Sequence, residues 1–283
     1  MKIAIASGKG GTGKTTVAVN LALSLNEAKL ADCDVEEPNC NIFLRSCLEN
    51  YQDVVIPVPE IDETKCIQCG KCAQFCQYNA IAILSSGPML FPKLCHGCGG
   101  CIIVCPEDAI NEFRRTIGVV ERSKADFDID LWQGRLFTAE PMASPVIKCL
   151  KGNIGGDGIT IIDSPPGTAC PVIASITDVD HCVLVTEPTP FGLNDLILAV
   201  GLVRQLEIPF GIVINRAGVG DELIENYCRS EKIPILMKIP DEGQIAVLYS
   251  EGVPFVTQMP EWKERFLLMF GDICRQVSDS MEG

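Results

Sequence analysis

The 283-residue sequence has few histidines, few basic residues and no long apolar run. Its two histidines, His96 and His181, are a poor supply for histidine-based acid–base catalysis or histidine-rich metal sites. The 23 Lys and Arg are outnumbered by 37 Asp and Glu, giving a net charge of −14. This acidity disfavours general nucleic-acid binding and a polybasic membrane anchor, because both need cations against phosphate. No apolar stretch approaches about 18 residues. The start, MKIAIASGKGG, lacks a signal-peptide core, so we expect a cytoplasmic protein.

Cysteine, in contrast, is abundant, with sixteen residues. Eight of them fall in two tight runs between Cys66 and Cys105. Tight C-x-x-C spacing in a chain without a secretion signal predicts metal binding before disulfides. Composition that is 47% hydrophobic and 21% charged is typical of a globular protein, and the length predicts about two domains.

Outside the cysteine-rich block, short apolar runs alternate with helical patterns. Strands are predicted at residues 2–6, 29–34, 159–162, 182–185 and 210–214. Pro57 makes residues 54–58 an edge or terminal strand. Helices are predicted at residues 14–27, 193–205, 221–230 and 261–277. Strands that alternate with helices imply a parallel α/β sheet, which the block at residues 62–110 interrupts.

A glycine-rich loop follows the first predicted strand and opens the first predicted helix. It fits the phosphate-loop pattern G-x-x-x-x-G-K-[ST], and this context makes the motif credible. The glycines allow backbone N–H groups to wrap phosphates at a positive helix N-terminus. Lys14 is expected to reach the β- and γ-phosphates, and the Thr15 hydroxyl to coordinate Mg²⁺. The predicted ATP-binding residues are Gly8, Lys9, Gly10, Gly11, Thr12, Gly13, Lys14, Thr15 and Thr16.

The stretch from Lys9 to Thr15, KGGTGKT, resembles the deviant Walker A motif of the MinD/ParA/nitrogenase-iron-protein superfamily of P-loop ATPases. The resemblance implies a doubly wound, mostly parallel sheet. It also implies that Lys9 reaches across an ATP-sandwiched dimer to the partner's phosphates. The expected dimer is a homodimer, or a heterodimer with a similar ATPase.

The same resemblance assigns roles to residues that follow later strands. Asp34, in the acidic stretch DCDVEEPN, matches the residue that positions the attacking water and the Mg²⁺ shell, and Asp32 is expected to support it. Asp163 would hold Mg²⁺ through a water, and Gly167 would sense the γ-phosphate. Asn215 matches the position that reads adenine. With Lys9 and Lys14, Asp34 completes the expected catalytic set.

The cysteine-rich block contains two runs, and the second repeats the first after 29 residues. Both have the bacterial two-cluster ferredoxin spacing, in which the fourth cysteine of each run ligates the other 4Fe–4S cluster. One predicted cluster is therefore held by Cys66, Cys69, Cys72 and Cys105. The other is held by Cys95, Cys98, Cys101 and Cys76. The predicted domains are a ferredoxin domain at residues 61–111 and an ATPase domain at residues 1–60 and 112–283.

The remaining cysteines are expected to be core or loop thiols, except that Cys170 has two readings. It follows Asp163 by seven residues, the spacing of a cluster-ligating cysteine in the nitrogenase iron protein. Cys170 is therefore either a small buried residue or the ligand of a subunit-bridging cluster, for which Cys149 is the candidate second ligand. At residues 262–277, apolar positions at helical spacing predict a core-packed helix, and the surrounding acidic residues argue against membrane targeting.

Three functions are compatible with an ATPase that carries two clusters. The first is nucleotide-gated electron transfer to a redox partner protein, by analogy with the nitrogenase iron protein. The second is assembly or delivery of an iron–sulfur or metal cofactor to an acceptor protein. The third is a MinD-like spatial switch in which the clusters sense redox state. Fold analogy, which favours the first, is a weak basis for function.

Overall fold

The computed structural model describes residues 1–25, 27–124 and 129–282. The strands of this part of the chain are β1 (Lys2–Ala6), β2 (Lys29–Asp32), β3 (Glu49–Ile61), β4 (Ile81–Leu84), β5 (Gly87–Leu90), β6 (Ile110–Lys124), β7 (Asp130–Leu136), β8 (Thr160–Asp163), β9 (His181–Thr186), β10 (Phe210–Ala217) and β11 (Ile235–Pro240). Nine of them form one sheet in the order β11-β10-β9-β1-β8-β2-β7-β6-β3, and β4 pairs with β5 in a small hairpin.

The helices of the described residues are α1 (Lys14–Ser24), α2 (Cys40–Phe43), α3 (Lys71–Phe75), α4 (Gly100–Ile103), α5 (Ser144–Asn153), α6 (Cys170–Ile176), α7 (Pro190–Gln205), α8 (Asp221–Glu231), α9 (Gly243–Ser250) and α10 (Pro260–Glu282). Helices α5, α6 and α7 each have a proline at their first or second position, where its fixed φ favours a helix start. The Thr189 hydroxyl also caps α7 by accepting from the Gly192 N–H at 2.9 Å, and Pro190 is the first residue of that helix.

The sheet is parallel from β11 through β7, as the alternation of strands and helices predicts. Successive residues of each strand face opposite sides, so Ile3 and Ile5 join one core and Ala4 and Ala6 the other. Helices α1 and α10 cover the first face, and α5 to α8 cover the second. The fold is therefore a doubly wound, mostly parallel α/β sheet, as predicted.

The C-terminal helix α10 packs on the core as the sequence predicted. Its apolar stripe of Trp262, Phe266, Met269 and Ile273 is buried. No helix of the described residues is both long and apolar enough to cross a bilayer. The predicted first helix ends earlier than expected, at Ser24, and residue 26 of the predicted span lies outside the described residues.

An antiparallel extension at one edge of the sheet was not predicted. Strand β3 is the edge strand, as Pro57 indicated, but it extends far beyond residues 54–58. It pairs with β6 in a long ribbon whose register runs from Glu49 opposite Arg122 to Ile61 opposite Ile110. The cysteine-rich block leaves β3 after Ile61 and returns at Ile110, so this ribbon joins the block to the sheet.

Candidate nucleotide site and cysteine cavities

The predicted phosphate loop lies between β1 and α1. Gly11 and Gly13 have φ of 78° and 93°, a left-handed conformation that glycine adopts without strain. A Cβ at Gly13 would overlap the side-chain amide of Asn215, and that amide donates to the Thr12 carbonyl at 2.8 Å. Asn215 lies near the end of β10, so the sheet order brings it against a loop about two hundred residues away in the chain.

A cavity of about 280 Å³ opens over this loop. Of the predicted site residues, those that line it are Gly10, Gly11, Gly13, Lys14, Thr15, Thr16, Asp34 and Asn215. Gly8, Lys9, Thr12, Asp163 and Gly167 are not among its lining residues. The sequence did not predict that α9 lines one side of this cavity, through Ile245, Ala246 and Tyr249. The apolar run IAVLY in that stretch is the sequence signal that could have indicated it.

Asp163 ends β8 beneath the phosphate loop and is 1% exposed. Its Oδ2 accepts from the Thr15 hydroxyl at 2.6 Å, while its Oδ1 has no hydrogen-bond partner. Burial, and then the charge of Asp32, raises the pKa of Asp163 to about 8. A buried carboxylate with a free oxygen beside a hydroxyl suits a divalent cation, because hard cations prefer oxygen ligands.

Two other charged groups share this environment. Burial, followed by the charge of Asp32, raises the pKa of Asp34 to about 6. Burial lowers the pKa of Lys14, and the charges of Asp163 and Asp34 oppose that shift. The charges of Asp163 and Asp34 therefore act on buried Lys14, and the charge of Asp32 acts on both of those carboxyl groups.

Asp32 organises the loop that follows β2. Its Oδ2 accepts from the backbone N–H groups of Asn39 and Cys40, both at 2.9 Å, and its Oδ1 accepts from the Asp34 N–H at 3.1 Å. These bonds fix the backbone of Asp34. The Cys40 thiol, which the sequence indicated only as a core or loop residue, lies 3.6 Å from Asp163 Oδ2. Burial raises the pKa of this thiol well above its usual range.

Lys9 lies in the loop but is directed towards another acid. Its ammonium forms an ion pair with Glu187 Oε1, just after β9. Glu187 Oε2 accepts from Arg216, which follows Asn215, at 3.0 Å. The loop lysine is thus held by its own chain beside the nucleotide cavity.

The eight clustered cysteines surround two separate cavities. The outer cavity is lined by Cys66, Cys69, Cys72 and Cys105. The inner cavity is lined by Cys76, Cys95, Cys98 and Cys101. Each cavity therefore combines three cysteines of one run with the fourth cysteine of the other run. These are the two sets into which the ferredoxin spacing divides the cysteines.

The backbone of the two runs repeats with the sequence. Left-handed residues recur after 29 positions, as the pairs Gln68 and Gly97, Gly70 and Gly99, and Asn79 and Asp108. The fourth sulfur of each run accepts a backbone N–H at 3.3 Å, Cys76 from Ala80 and Cys105 from Ala109. Such N–H···S bonds stabilise thiolate, the form that binds metal.

The two cavities differ in exposure and position. The inner cavity is also lined by Pro57 and Pro59 of β3; two of its cysteines, Cys95 and Cys101, are buried, while Cys76 is half-buried and Cys98 is exposed. Around the outer cavity, Cys69 is exposed and the other three cysteines are half-buried. The outer cavity lies at the end of the ribbon, against Ile61 and Ile110. A group in the outer cavity is therefore the more accessible one.

Cys170 is exposed at the start of α6, so of its two interpretations the small buried residue is wrong. It lines an open groove with Lys148 of α5 and Lys2 of β1. It is the single cysteine among the described residues that line this groove. The candidate second ligand, Cys149, is half-buried and lies 3.6 Å from the side-chain amide of Asn153. Within one chain this groove supplies one thiol, and a cluster that bridges two chains stays a prediction.

Comparison with known proteins agrees with the nucleotide site. Residues 3–255 match the family model of the CobQ/CobB/MinD/ParA nucleotide binding domain. An uncharacterized protein of Methanocaldococcus jannaschii is 32% identical over 263 residues, covering 90% of this chain and 91% of that protein. An iron-sulfur cluster carrier protein of Pyrococcus horikoshii is 26% identical over 268 residues, covering 92% of this chain and 73% of the carrier.

Solved structures show the same fold. The septum site-determining protein MinD of Pyrococcus horikoshii, complexed with Mg-ADP, has a TM-score of 0.56 and 21% identity. The match covers 95% of this chain and 93% of that one. At this identity the likeness concerns the fold, and roles of individual residues depend on the geometry described above.

Proposed function

The chain belongs to the CobQ/CobB/MinD/ParA nucleotide-binding family, and from that premise we propose that it is an ATPase that holds two 4Fe–4S clusters and delivers iron–sulfur clusters to acceptor proteins. The observation that carries the proposal is the division of the eight cysteines into two unequal cavities on a ribbon extending from the nucleotide-binding sheet. Delivery is favoured over electron transfer because a relative covering most of the chain is an iron-sulfur cluster carrier protein.

The nucleotide site fits ATP with Mg²⁺. The loop from Gly8 to Thr16 would hold the phosphates through its backbone N–H groups, and Lys14 would compensate charge on the β- and γ-phosphates. Thr15, Asp163 and Asp34 would hold Mg²⁺, and the unpartnered Oδ1 of buried Asp163 supports this assignment. Bound Mg²⁺ supplies charge neutralisation on the transferred phosphoryl group.

Within this site Asp34 would orient the attacking water. Its carboxylate lines the cavity, and Asp32 holds its backbone in place. Asn215 would face the adenine side, and Gly167, whose N–H donates to the Ser7 carbonyl at 3.0 Å, would couple the loop after β8 to the γ-phosphate. Lys9 would act across a dimer of two such chains.

The cysteine cavities fit 4Fe–4S clusters because each supplies four thiols, a full ligand set. Burial raises the pKa of Cys72, and that of Cys101 to about 11, so loading would displace protons from these thiols. We assign residues 61–111 as a ferredoxin domain inserted into an ATPase domain of residues 1–60 and 112–283. The more exposed outer cavity would hold the cluster that is delivered, and the inner cavity a resident cluster.

A transfer assay tests this proposal. The anaerobically reconstituted chain is mixed with the apo-form of a 4Fe–4S enzyme whose activity reports cluster uptake, with and without Mg-ATP. We expect Mg-ATP to increase uptake, and Lys14→Ala to abolish the increase. Cys76→Ala, which removes an inner ligand, is expected to retain transfer, while Cys105→Ala is expected to lose it. Absence of transfer under every nucleotide condition would refute the delivery function.

Electron transfer is the second candidate, and the complete set of four thiols around each cavity favours it. Fully cysteine-ligated clusters resist loss and are typical of resident redox centres. If this is the function, the reduction potentials of the clusters will differ between the ADP-bound and ATP-bound chain, and no cluster will leave. Redox titration monitored by electron paramagnetic resonance, in each nucleotide state, separates the two functions.

A further inference from the structure

Glu187 connects two cations from different parts of the nucleotide site. One carboxylate oxygen pairs with Lys9 of the phosphate loop, and the other accepts from Arg216, near the end of β10, at 3.0 Å. The Glu187 side chain is 14% exposed, against 31% for Lys9 and 58% for Arg216. The carboxylate is therefore the least solvated member of the group and depends most on its partners.

The backbone around Lys9 is held firmly, so a change of partner must come from its side chain. A Cβ at Gly8 would overlap the Asp195 carbonyl, which places the loop directly against α7. The Lys9 carbonyl accepts from the Ser7 hydroxyl at 2.5 Å. Its neighbours Gly10 and Gly11 line the nucleotide cavity, whereas Lys9 does not. In a single chain the Lys9 ammonium therefore pairs with Glu187 and does not line the nucleotide cavity.

We propose that Glu187 is a positioning residue that retains Lys9 within its own subunit until a second ATP-loaded copy of the chain supplies phosphates to replace it. This inference rests on the proposed role of Lys9 across the dimer. One ammonium cannot serve both anions at once, so dimer formation must break the Lys9–Glu187 pair. A triphosphate carries more negative charge than one carboxylate, so the exchange is favourable only when nucleotide is bound.

Arg216 lowers the free-energy cost of separating Lys9 from Glu187. When Lys9 leaves, Glu187 keeps Arg216 as a partner, so no half-buried carboxylate is left unpaired. Without Arg216, Lys9 would be the sole cation on Glu187 and would be held more tightly. Substitutions of Glu187 and Arg216 are therefore expected to shift dimerisation in opposite directions, although both break ion pairs of the same carboxylate.

The test is sedimentation velocity of the full, iron-loaded chain with Mg²⁺ and a non-hydrolysable ATP analogue. Glu187→Gln is expected to lower the dissociation constant of the dimer by roughly 2- to 30-fold, since the Lys9–Glu187 pair of each of the two chains no longer needs to break. Arg216→Gln is expected to raise it at saturating nucleotide, a condition that is needed because Arg216 lines the nucleotide cavity. The matched control Glu231→Gln breaks the surface pair with Arg204, and is expected to leave dimerisation unchanged.

Two further measurements test whether Glu187→Gln acts through Lys9 and not through nucleotide affinity. Nucleotide affinity of the monomer, by isothermal titration calorimetry, is expected to be unchanged in Glu187→Gln, because Glu187 does not line the cavity. In a Lys9→Ala background, Glu187→Gln is expected to have no further effect. A gain in dimerisation that persists without Lys9 would overturn the proposal.

Other results for dimerisation and nucleotide binding distinguish the role of Glu187 from the proposed ATPase function. If Lys9→Ala disrupts the wild-type dimer but Glu187→Gln leaves it unchanged or weaker, the positioning role of Glu187 is refuted and the ATPase function stands. If nucleotide binds and neither wild type nor Glu187→Gln dimerises, the positioning role is refuted too. If the wild-type chain binds no nucleotide, the proposed ATPase function fails, and the positioning role of Glu187 fails with it. A dimer that forms only in Glu187→Gln supports the proposal.

Discussion

Replacing Asp163 by asparagine is expected to give the nucleotide-free chain a stability gain that grows with pH. Burial, and then the charge of Asp32, raises the pKa of Asp163 from 3.8 to about 8. Since the folded-state pKa lies above the unfolded-state value, the unfolded chain ionises first. The free energy of unfolding therefore falls as the pH rises from about 4 to about 8, and the contribution is constant above that range. Asparagine does not ionise and avoids this loss.

The magnitude follows from the size of the shift. Each pH unit within the window is worth roughly 1.4 kcal/mol. Between about pH 6 and about pH 8, the advantage of Asp163→Asn over wild type is expected to increase by about 2 kcal/mol, allowing for partial ionisation near the upper end. The asparagine Oδ1 can still accept from the Thr15 hydroxyl, so the side-chain packing is retained.

Urea denaturation without nucleotide or Mg²⁺, followed by far-ultraviolet circular dichroism under anaerobic conditions, measures this difference. Asp157→Asn, at an exposed site in the loop before β8, is the matched control and is expected to show no pH-dependent difference. Asp163→Asn is also expected to lose Mg²⁺-dependent ATP hydrolysis. A stability difference between Asp163→Asn and wild type that does not change with pH would refute the reasoning.

Three further predictions concern the loop, the cysteine-rich block and the core. Gly13→Ala is expected to weaken nucleotide binding at least about tenfold in calorimetry, because φ is 93° and the new Cβ would overlap Asn215; unchanged affinity would contradict the loop geometry. Removal of iron is expected to abolish amide-exchange protection in residues 62–110 and to spare the sheet, because so small a block has little apolar core of its own; retained protection would contradict this. Phe266→Ala is expected to cost about 3–5 kcal/mol in urea denaturation, since the side chain is 0% exposed; Leu268→Ala, at 71% exposure, is the control and should cost little.

The parallel sheet and the phosphate loop could be predicted because their signals are local. A buried strand needs a short apolar run, and the loop needs glycines and a lysine at fixed spacing, so β1 and α1 follow from neighbouring residues. The two cysteine sets could also be predicted, because three closely spaced cysteines lie in one loop and can ligate one cluster. That these sets hold clusters remains a prediction.

The antiparallel ribbon could not be predicted because its pairing is non-local. Glu49 pairs with Arg122 across the whole cysteine-rich block, and β3 contains prolines that weaken its strand pattern. The Lys9–Glu187 pair joins residues 178 positions apart, and Cys40 lies beside Asp163 across 123 positions. The sequence supplies the charges and thiols, but the order of strands in the sheet decides which of them meet.

We propose that the eight clustered cysteines hold two 4Fe–4S clusters, each ligated by three cysteines of one run and the fourth cysteine of the other. Mössbauer spectroscopy of the anaerobically purified chain, labelled with the Mössbauer-active isotope of iron, tests it most directly. Two 4Fe–4S clusters per chain are expected in the wild type. One is expected in Cys69→Ala, in Cys105→Ala and in the double variant, because both residues line the outer cavity. Loss of both clusters in the double variant, or a wild-type chain without 4Fe–4S iron, would contradict it.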